Sequence, residues 1–305
     1  MRIKISTDST ADIPASLVKE LDISVLPLRI ESAEGEEWLD GTDMPREEFC
    51  EYLHKTDKLP STAAVPPLTY VAFYEECLDA GYTDLIHVSL NGSGSSTYSN
   101  SVLAREMFYQ DHPEAEDRFR IHLLDGNTYS MGYGLGVVQA ARMAAELNRS
   151  ASSASVLSDG TSVPQPVKEI LDFLDDWIKH NVVLFVPTEL SFVRKSGRIS
   201  GAAALIGDAL GLKPIITFED GSARTLEKVR GEKAAMHGLV RLMKNTRKPG
   251  TPISIVGGAD EALNASWNEF VRREITDTDD ITDALLGCVI MINSGPRAFG
   301  IIYRI

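Results

Sequence analysis

The sequence predicts an α/β fold in two domains. Residues 1–163 form an N-terminal α/β/α domain on a parallel sheet, and residues 164–305 form a C-terminal α/β domain with a mixed sheet. Three observations carry this expectation. Short apolar, β-branched runs alternate with helical runs as far as residue 147, as parallel strands joined by helical crossovers require. The alternation breaks at NRSASSASVLSDGTSVPQ, a Ser-rich stretch from Asn148 to Gln165 that reads as a linker or surface excursion. Beyond it, Asp220-Gly221 separates two strand-like runs and marks a hairpin, so part of the second sheet is antiparallel.

Taken in order, Ile3-Lys4-Ile5 is a short strand that ends at Thr7-Asp8-Ser9-Thr10. A helix follows from Pro14 to Leu21, with proline near its start. Ile23 to Ile30 is apolar and β-branched and reads as one strand. Next come an acidic helix (Pro45 to His54), a loop (Lys58 to Pro67) and a helix (Leu68 to Ala80). Strand Leu85–Ser89, helix Thr97–Phe108, strand Arg120–Leu124 and helix Ser130–Leu147 complete the first half. Gly132, Gly134 and Gly136 in that last helix read as close packing. GYGLGV is not a dinucleotide fingerprint, because a third glycine at the required spacing and a directly preceding strand are both missing.

In the second half, Pro166 to His180 carries Val167, Ile170, Leu171, Leu174, Trp177 and Ile178 on one helical face. A strand (Val182 to Val186), a turn (Ser196-Gly197-Arg198) and a small-residue helix (Gly201 to Gly211) follow. The hairpin strands are Lys213–Phe218 and Arg224–Val229. Helix Glu232–Asn245, strand Ile253–Val256, helix Ala259–Arg273 and two closing strands end the chain.

Composition excludes several functions. A formal charge of −14 argues against nucleic-acid binding, which needs clustered Lys and Arg, and against an anionic membrane surface. No apolar run reaches the roughly 18 residues of a transmembrane segment. The start MRIKISTDST enters a strand without an apolar leader, so no secretion signal is expected. Cys50, Cys77 and Cys288 lie far apart and form no CxxC pair. They read as reduced thiols of a cytoplasmic protein. No P-loop, HExxH or Cys/His cluster is present, so no metal and no cofactor is expected. The scattered histidines include His87 and His122, which read as satisfied residues inside strands. Ser93 lies between glycines, but at the wrong spacing for a nucleophile elbow.

What remains is an unusual loop. Between strand Leu85–Ser89 and the next helix lie Asn91, Gly92, Ser93, Gly94, Ser95, Ser96 and Thr97. One hydroxyl is enough to cap a helix. Several hydroxyls, with two glycines that admit close backbone approach, at a helix N-terminus, suit an anionic group. Asp8 to Asp12, Ser61-Thr62 and Asp125 to Thr128 have a similar character. Loops after the C-ends of parallel strands gather on one edge, where α/β proteins bind ligands. The pocket expected there lacks Lys and Arg, which suits a singly charged carboxylate better than a phosphate.

Eight ordered motifs across nearly the whole chain resemble the DegV family. DSTADIP at Asp8–Pro14 is similar to its opening DSTADLP, Ser61-Thr62-Ala63-Ala64 to a TSQP-type segment, and Ser95-Ser96-Thr97-Tyr98 to SGTY. Leu124-Asp125-Gly126-Asn127 and the Ser130–Gly134 run resemble the next two motifs. LSFVRKSGRIS at Leu190–Ser200 resembles LxYLxKGGRIS. Lys213-Pro214-Ile215 and Lys228 to Gly231 match in order and spacing, and Asn293-Ser294-Gly295-Pro296 is similar to HTGPG.

The resemblance implies a non-enzymatic lipid carrier with a long-chain fatty acid bound between two α/β domains. The carboxylate is held by a Thr and a Ser, which map onto Thr62 and Ser95, and the acyl chain enters an apolar tunnel. Ser93 and Asn293 complete the candidate ligand-binding set. The loaded family member presents its ligand to an ATP-dependent fatty acid kinase, which makes acyl phosphate for phospholipid synthesis. Docking of that partner maps onto Arg194, Lys195 and Arg198. Departures from the family pattern are Asn293 for its His, Arg297 for its second Gly, Asn91-Gly92 for a Ser pair, and Ala63-Ala64 after Thr62. Arg297 either replaces the missing donor or is a surface residue. The alternative functions are a kinase-like or hydrolytic small-molecule enzyme at the same loops, and an interaction module acting through the KSGR turn.

Overall fold

The computed structural model describes residues 1–151, 163–197 and 211–305. The strands are β1 (Ile3–Asp8), β2 (Ser24–Leu26), β3 (Arg29–Glu31), β4 (Glu37–Leu39), β5 (Ser61–Ala63), β6 (Asp84–Ser89), β7 (Arg120–Asp125), β8 (Asn181–Val186), β9 (Leu212–Glu219), β10 (Ser222–Arg230), β11 (Ile253–Gly257), β12 (Ile281–Leu285) and β13 (Phe299–Arg304). The helices are α1 (Ala15–Glu20), α2 (Arg46–Lys55), α3 (Pro67–Asp79), α4 (Thr97–Asp111), α5 (Met131–Ala151), α6 (Gln165–His180), α7 (Leu190–Ser196), α8 (Glu232–Thr246), α9 (Glu261–Glu274) and α10 (Cys288–Ser294).

The first sheet is parallel throughout, in the order β2-β1-β6-β7. Every residue of β1 and β6 is buried, as expected of strands covered on both faces. On one face Val137, Val138 and Ala141 of α5 pack with Ile3, Ile5 and Ile86. On the other, Tyr70, Tyr74 and Phe108 of α3 and α4 pack with Leu85. The second sheet is mixed, in the order β10-β9-β8-β13-β11-β12, with β11 and β12 parallel and the other pairings antiparallel. Asp220 and Gly221 both have positive φ, 48° and 72°, as the tight turn between β9 and β10 demands. One buried cluster runs from Leu26, Leu28 and Leu85 to Val183, Val256 and Ile302, so apolar packing is continuous between the two sheets.

Two expectations need correction, and one helix was not anticipated. The run from Ile23 to Ile30 is not one strand. Its first half, β2, pairs with β1, and β3 beyond Pro27 joins a separate antiparallel sheet, β4-β3-β5. Proline has no N–H for a ladder, and the chain changes sheets there. The loop between Lys58 and Pro67 contains β5, whose Thr62 pairs with Ile30. Between the closing strands β12 and β13 lies α10, of sequence CVIMINS. Its Val and Ile residues carry a weak strand preference, which its burial between Gly287 and Gly295 overrides in favour of a helix. The helix expected from Gly201 to Gly211 lies, but for its last residue, outside the described residues.

The glycine run in α5 is close packing, against three different elements. A Cβ at Gly132 would come within 2.6 Å of Val183 on β8, one at Gly134 within 2.4 Å of the Ala11 carbonyl, and one at Gly136 within 2.5 Å of the Trp177 ring on α6. Helix α6, which follows the Ser-rich stretch, buries Val167, Ile170 and Leu174 in the core of the first sheet, and the chain enters the second sheet at β8.

His87 on β6 is wholly buried. Its Nδ1 lies 2.8 Å from Ser6 Oγ, and its Nε2 lies 3.0 Å from Ser89 Oγ and 3.2 Å from the Tyr70 hydroxyl. Burial pushes its pKa down from 6.5 to about 3, so the folded protein holds it neutral. Below 6.5 the unfolded chain takes up this proton and the folded chain does not. The contribution is therefore fully present above pH 6.5 and lost as pH falls towards 3. Urea unfolding measured across this window is expected to lose up to ~1.4 kcal/mol per pH unit through this residue. His87→Gln is expected to flatten that slope, and an unchanged slope would assign the acid sensitivity elsewhere.

Candidate ligand cavity

The loops at the C-terminal edge of the first sheet bind one another. Leu90 N–H donates to Asp8 Oδ2 at 2.8 Å, Gly92 N–H to Asp125 Oδ1 at 3.0 Å, Gly126 N–H to the Ser89 carbonyl at 2.8 Å, and Asn91 N–H to the Thr128 carbonyl at 3.0 Å. Asn91 Oδ1 accepts from the Ser93 N–H at 3.1 Å and from the Ser93 hydroxyl at 2.9 Å, a local turn that bends the hydroxyl loop back on itself. Ser95 Oγ accepts from the Thr97 N–H at 3.2 Å and lies 2.9 Å from the Thr97 hydroxyl. Ser95, which precedes the N-cap Ser96, thus takes up one N–H of the first turn of α4. The N–H groups of Ser95 and Ser96 make no hydrogen bond among the described residues, which leaves two donors and the positive end of a 15-residue helix at this point.

These groups face a cavity of about 430 Å³, within the roughly 300–1,000 Å³ typical of small-molecule sites. Thr62 on β5, Ser93, Ser95 and Ser96 of the hydroxyl loop, Tyr129, and Asn293 on α10 form its polar wall. Ser93 and Ser96 are exposed at the rim, whereas Thr62, Ser95 and Asn293 are half-buried. Leu28, Leu90, Val183, Val256, Leu286, Val289 and Ile302 line the rest. Among the described residues, no Asp, Glu, His, Lys or Arg lines the cavity. Among the described residues, no acidic or histidine side chain hydrogen-bonds the hydroxyls of Thr62, Ser93 or Ser95.

The structure thus brings Thr62, Ser93, Ser95 and Asn293 to one cavity. Asn293 donates through Nδ2 to the Val289 carbonyl at 2.7 Å, which fixes its amide on the helix. Arg297 is not in the wall. Its guanidinium is 2.8 Å from Asp260, the residue that caps α9, so the surface reading holds. Arg194 and Lys195 on α7 are exposed and do not line the cavity. The same helix touches a lining residue through Ser196, whose hydroxyl donates to the Asn293 carbonyl at 3.5 Å. Arg198 lies outside the described residues.

Sequence reasoning missed the aromatic wall. Phe185 and Phe218 stack with centroids 5.5 Å apart and planes 6° from parallel, and Tyr129 lies 4.9 Å from Phe218. Asn91 Nδ2 donates to the Gly221 carbonyl at 2.8 Å and to the Tyr129 hydroxyl at 3.0 Å, tying the tip of the β9–β10 hairpin to the hydroxyl loop. Phe218 so near the Asp-Gly turn was the available signal, since an aromatic there must pack on something. The Val289 and Ile290 wall was hidden because α10 itself was not anticipated.

Behind the polar wall lie three buried carboxylates, all pushed above their usual range by burial. Hydrogen bonds offset this for Asp8 (from Thr10, Leu90 and Tyr133), Asp12 (from Ser130 and Gly287) and Asp40 (from Val289 and Cys288).

A model of the DegV family, described as uncharacterised proteins, matches residues 2–305. The chain belongs to the DegV family. A DegV domain-containing protein of Caldanaerobacter subterraneus is 32% identical over 309 residues, covering 99% of each chain. Among solved structures, a DegV family protein of Thermus thermophilus described by its fatty acid binding superposes with a TM-score of 0.83 at 24% identity, covering 100% of both chains. The fatty acid kinase B3 protein of Streptococcus pneumoniae, loaded with linoleic acid, superposes at 0.79 with 18% identity, again over 100% of both chains. At these identities the likeness is one of fold: a parallel sheet and a mixed sheet, as in this DegV chain.

Asn91 is the hub of the site's polar scaffold. Asn91→Ala would remove the side-chain partners of the Gly221 carbonyl and of the Ser93 N–H at once. It is expected to cost about 1–3 kcal/mol in denaturant unfolding. A loss below about 0.5 kcal/mol, the range of a neutral surface substitution, would mean that water replaces those bonds freely.

Proposed function

We propose that this DegV protein binds a long-chain fatty acid, with its carboxylate at the polar wall and its acyl chain along the apolar one. The observation that carries the reading is the cavity itself: its lining among the described residues carries no charge, is hydroxyl-rich at one wall and is aliphatic or aromatic elsewhere. A carboxylate can be held there without a cation. The Thr62 and Ser95 hydroxyls, the open N–H groups of Ser95 and Ser96, and the α4 dipole all act as donors to a single negative charge. Ser93 and the Asn293 amide flank this group. The tail supplies most of the affinity, at roughly 0.8 kcal/mol for each methylene buried, against association costs of several kcal/mol. Relatives of the same fold described as fatty-acid-binding proteins support this assignment.

The role that follows is that of a carrier which hands the bound acid to an ATP-dependent fatty acid kinase for acyl-phosphate formation and phospholipid metabolism. Arg194 and Lys195, with Arg198 of the same motif, are the docking residues in this reading. Helix α7 lies next to Asn293, so a partner seated on the basic turn would sit beside the carboxylate it phosphorylates.

Native mass spectrometry of the purified protein, followed by organic extraction, is expected to recover a fatty acid in near-stoichiometric amount. Thr62→Val and Ser95→Ala are each expected to weaken binding of a fluorescent fatty acid about tenfold or more, as loss of a hydrogen bond to a charged group implies. An empty extract together with no binding of added fatty acid would refute the proposal.

A further inference from the structure

We propose that Asp12 and Asp40 are positioning residues for the ligand head group: two buried carboxylates that hold α10, and with it Asn293, against the cavity. This rests on the fatty-acid reading of the site. The DSTAD motif, conspicuous in the sequence, has no member in the cavity wall. Its role is found one bond behind it.

Helix α10 supplies Val289, Ile290, Asn293 and Ser294 to the wall, yet it has only seven residues. So short a helix does not hold itself together in isolation. Its first amides are gripped from the other half of the chain. Gly287 N–H donates to Asp12 Oδ1 at 2.9 Å, Cys288 N–H to Asp40 Oδ1 at 3.0 Å, and Val289 N–H to the same oxygen at 3.4 Å. The two carboxylates flank Gly287 closely. A Cβ there would lie 2.8 Å from Asp12 and 3.6 Å from Asp40.

Each aspartate is also attached to another part of the wall, Asp12 through its side chain and Asp40 through its backbone. The second oxygen of Asp12 accepts from the hydroxyl of Ser130, a lining residue. Asp12 and Ser130 both adopt left-handed backbone, φ 53° and 54°, without being glycine. Such conformations persist only where the surroundings over-determine them. Asp40 follows β4, in the small sheet whose β5 carries Thr62, and its N–H donates at 2.9 Å to the carbonyl of Leu28, another lining residue. Asp40 therefore links the sheet of Thr62 to the helix of Asn293, and Asp12 links the loop of Ser130 to the same helix. A contact needed only for packing is met more cheaply by apolar side chains than by two buried acids. Here the acids fix three separate segments at one set of distances, which a binding site needs and a plain core does not.

The experiment compares Asp12→Ala, Asp40→Ala, their Asn counterparts and Ser130→Ala with Leu263→Ala, a destabilising control in the core of the second sheet, away from the cavity. Dissociation of cis-parinaric acid is followed by stopped flow on protein verified as folded. The Ala variants are expected to release the probe about tenfold faster, Leu263→Ala at the wild-type rate, and Asn, whose amide oxygen still accepts an N–H, close to wild type. Wild-type release from Asp12→Ala and Asp40→Ala with a lowered melting temperature would reduce both to structural residues and overturn the proposal. If an Ala variant fails to fold, Ser130→Ala carries the test, and wild-type release from it would overturn the role of Asp12. Amide hydrogen exchange of residues 288–294 in ligand-free protein is the second measurement. Faster exchange in the Asp12 and Asp40 variants than in Leu263→Ala is expected. Should wild type bind no fatty acid at all, the functional reading fails on that result, and exchange still decides whether these carboxylates anchor α10.

Discussion

Buried backbone groups at the C-terminal edge of the parallel sheet must find partners, and most of the site follows from how they do. Where β1, β6 and β7 end, their loops cannot all reach water. The carboxylates of Asp8 and Asp125 and the amide of Asn91 accept or donate across neighbouring loops instead. An unpaired buried amide is costly, so each of these bonds removes conformational freedom from the loop it touches. The hydroxyl loop is left with one consistent shape, in which the Ser95 and Ser96 amides point away from protein acceptors. Two amides with no acceptor among the described residues, at the positive end of a helix, suit an anion.

The division of labour in the cavity follows from magnitudes. Hydroxyls and amides orient a head group but compete with water for it, so each contributes modestly. Apolar surface removed from water adds up along a chain. A wall of Leu, Val, Ile and Phe facing a few donors therefore favours a ligand with a small polar end and a long tail over a compact polar one. Among the described residues no charged side chain lines the cavity, and the buried carboxylates of Asp12 and Asp40 lie behind its wall.

The mixed sheet contributes in two ways. Its β8, β11 and β13 form apolar wall, and its β9–β10 hairpin brings Phe218 against Tyr129 and Phe185. The contact of the hairpin tip on Asn91 joins a residue near position 221 to one near 91, so the cavity is assembled from both halves of the chain. Continuous apolar packing between the sheets gives that assembly its rigidity.

By itself the sequence determined the alternating α/β order, the Asp220-Gly221 turn, the close packing of the α5 glycines, and the hydroxyl loop at the start of α4. Each of these is a local property: a period, a turn preference, a missing Cβ, a cap. The motifs at Thr62, Ser95 and Asn293 were legible as well, though not their common cavity. Only the tertiary structure decided that Ile23 to Ile30 splits between two sheets, that Thr62 stands on a strand, that CVIMINS coils into a helix, and that Asp12 and Asp40 grip its first turn. These outcomes depend on contacts between residues as much as 275 positions apart. A short β-branched segment is near neutral between strand and helix, so the partners it meets on folding, and not its own residues, choose between them.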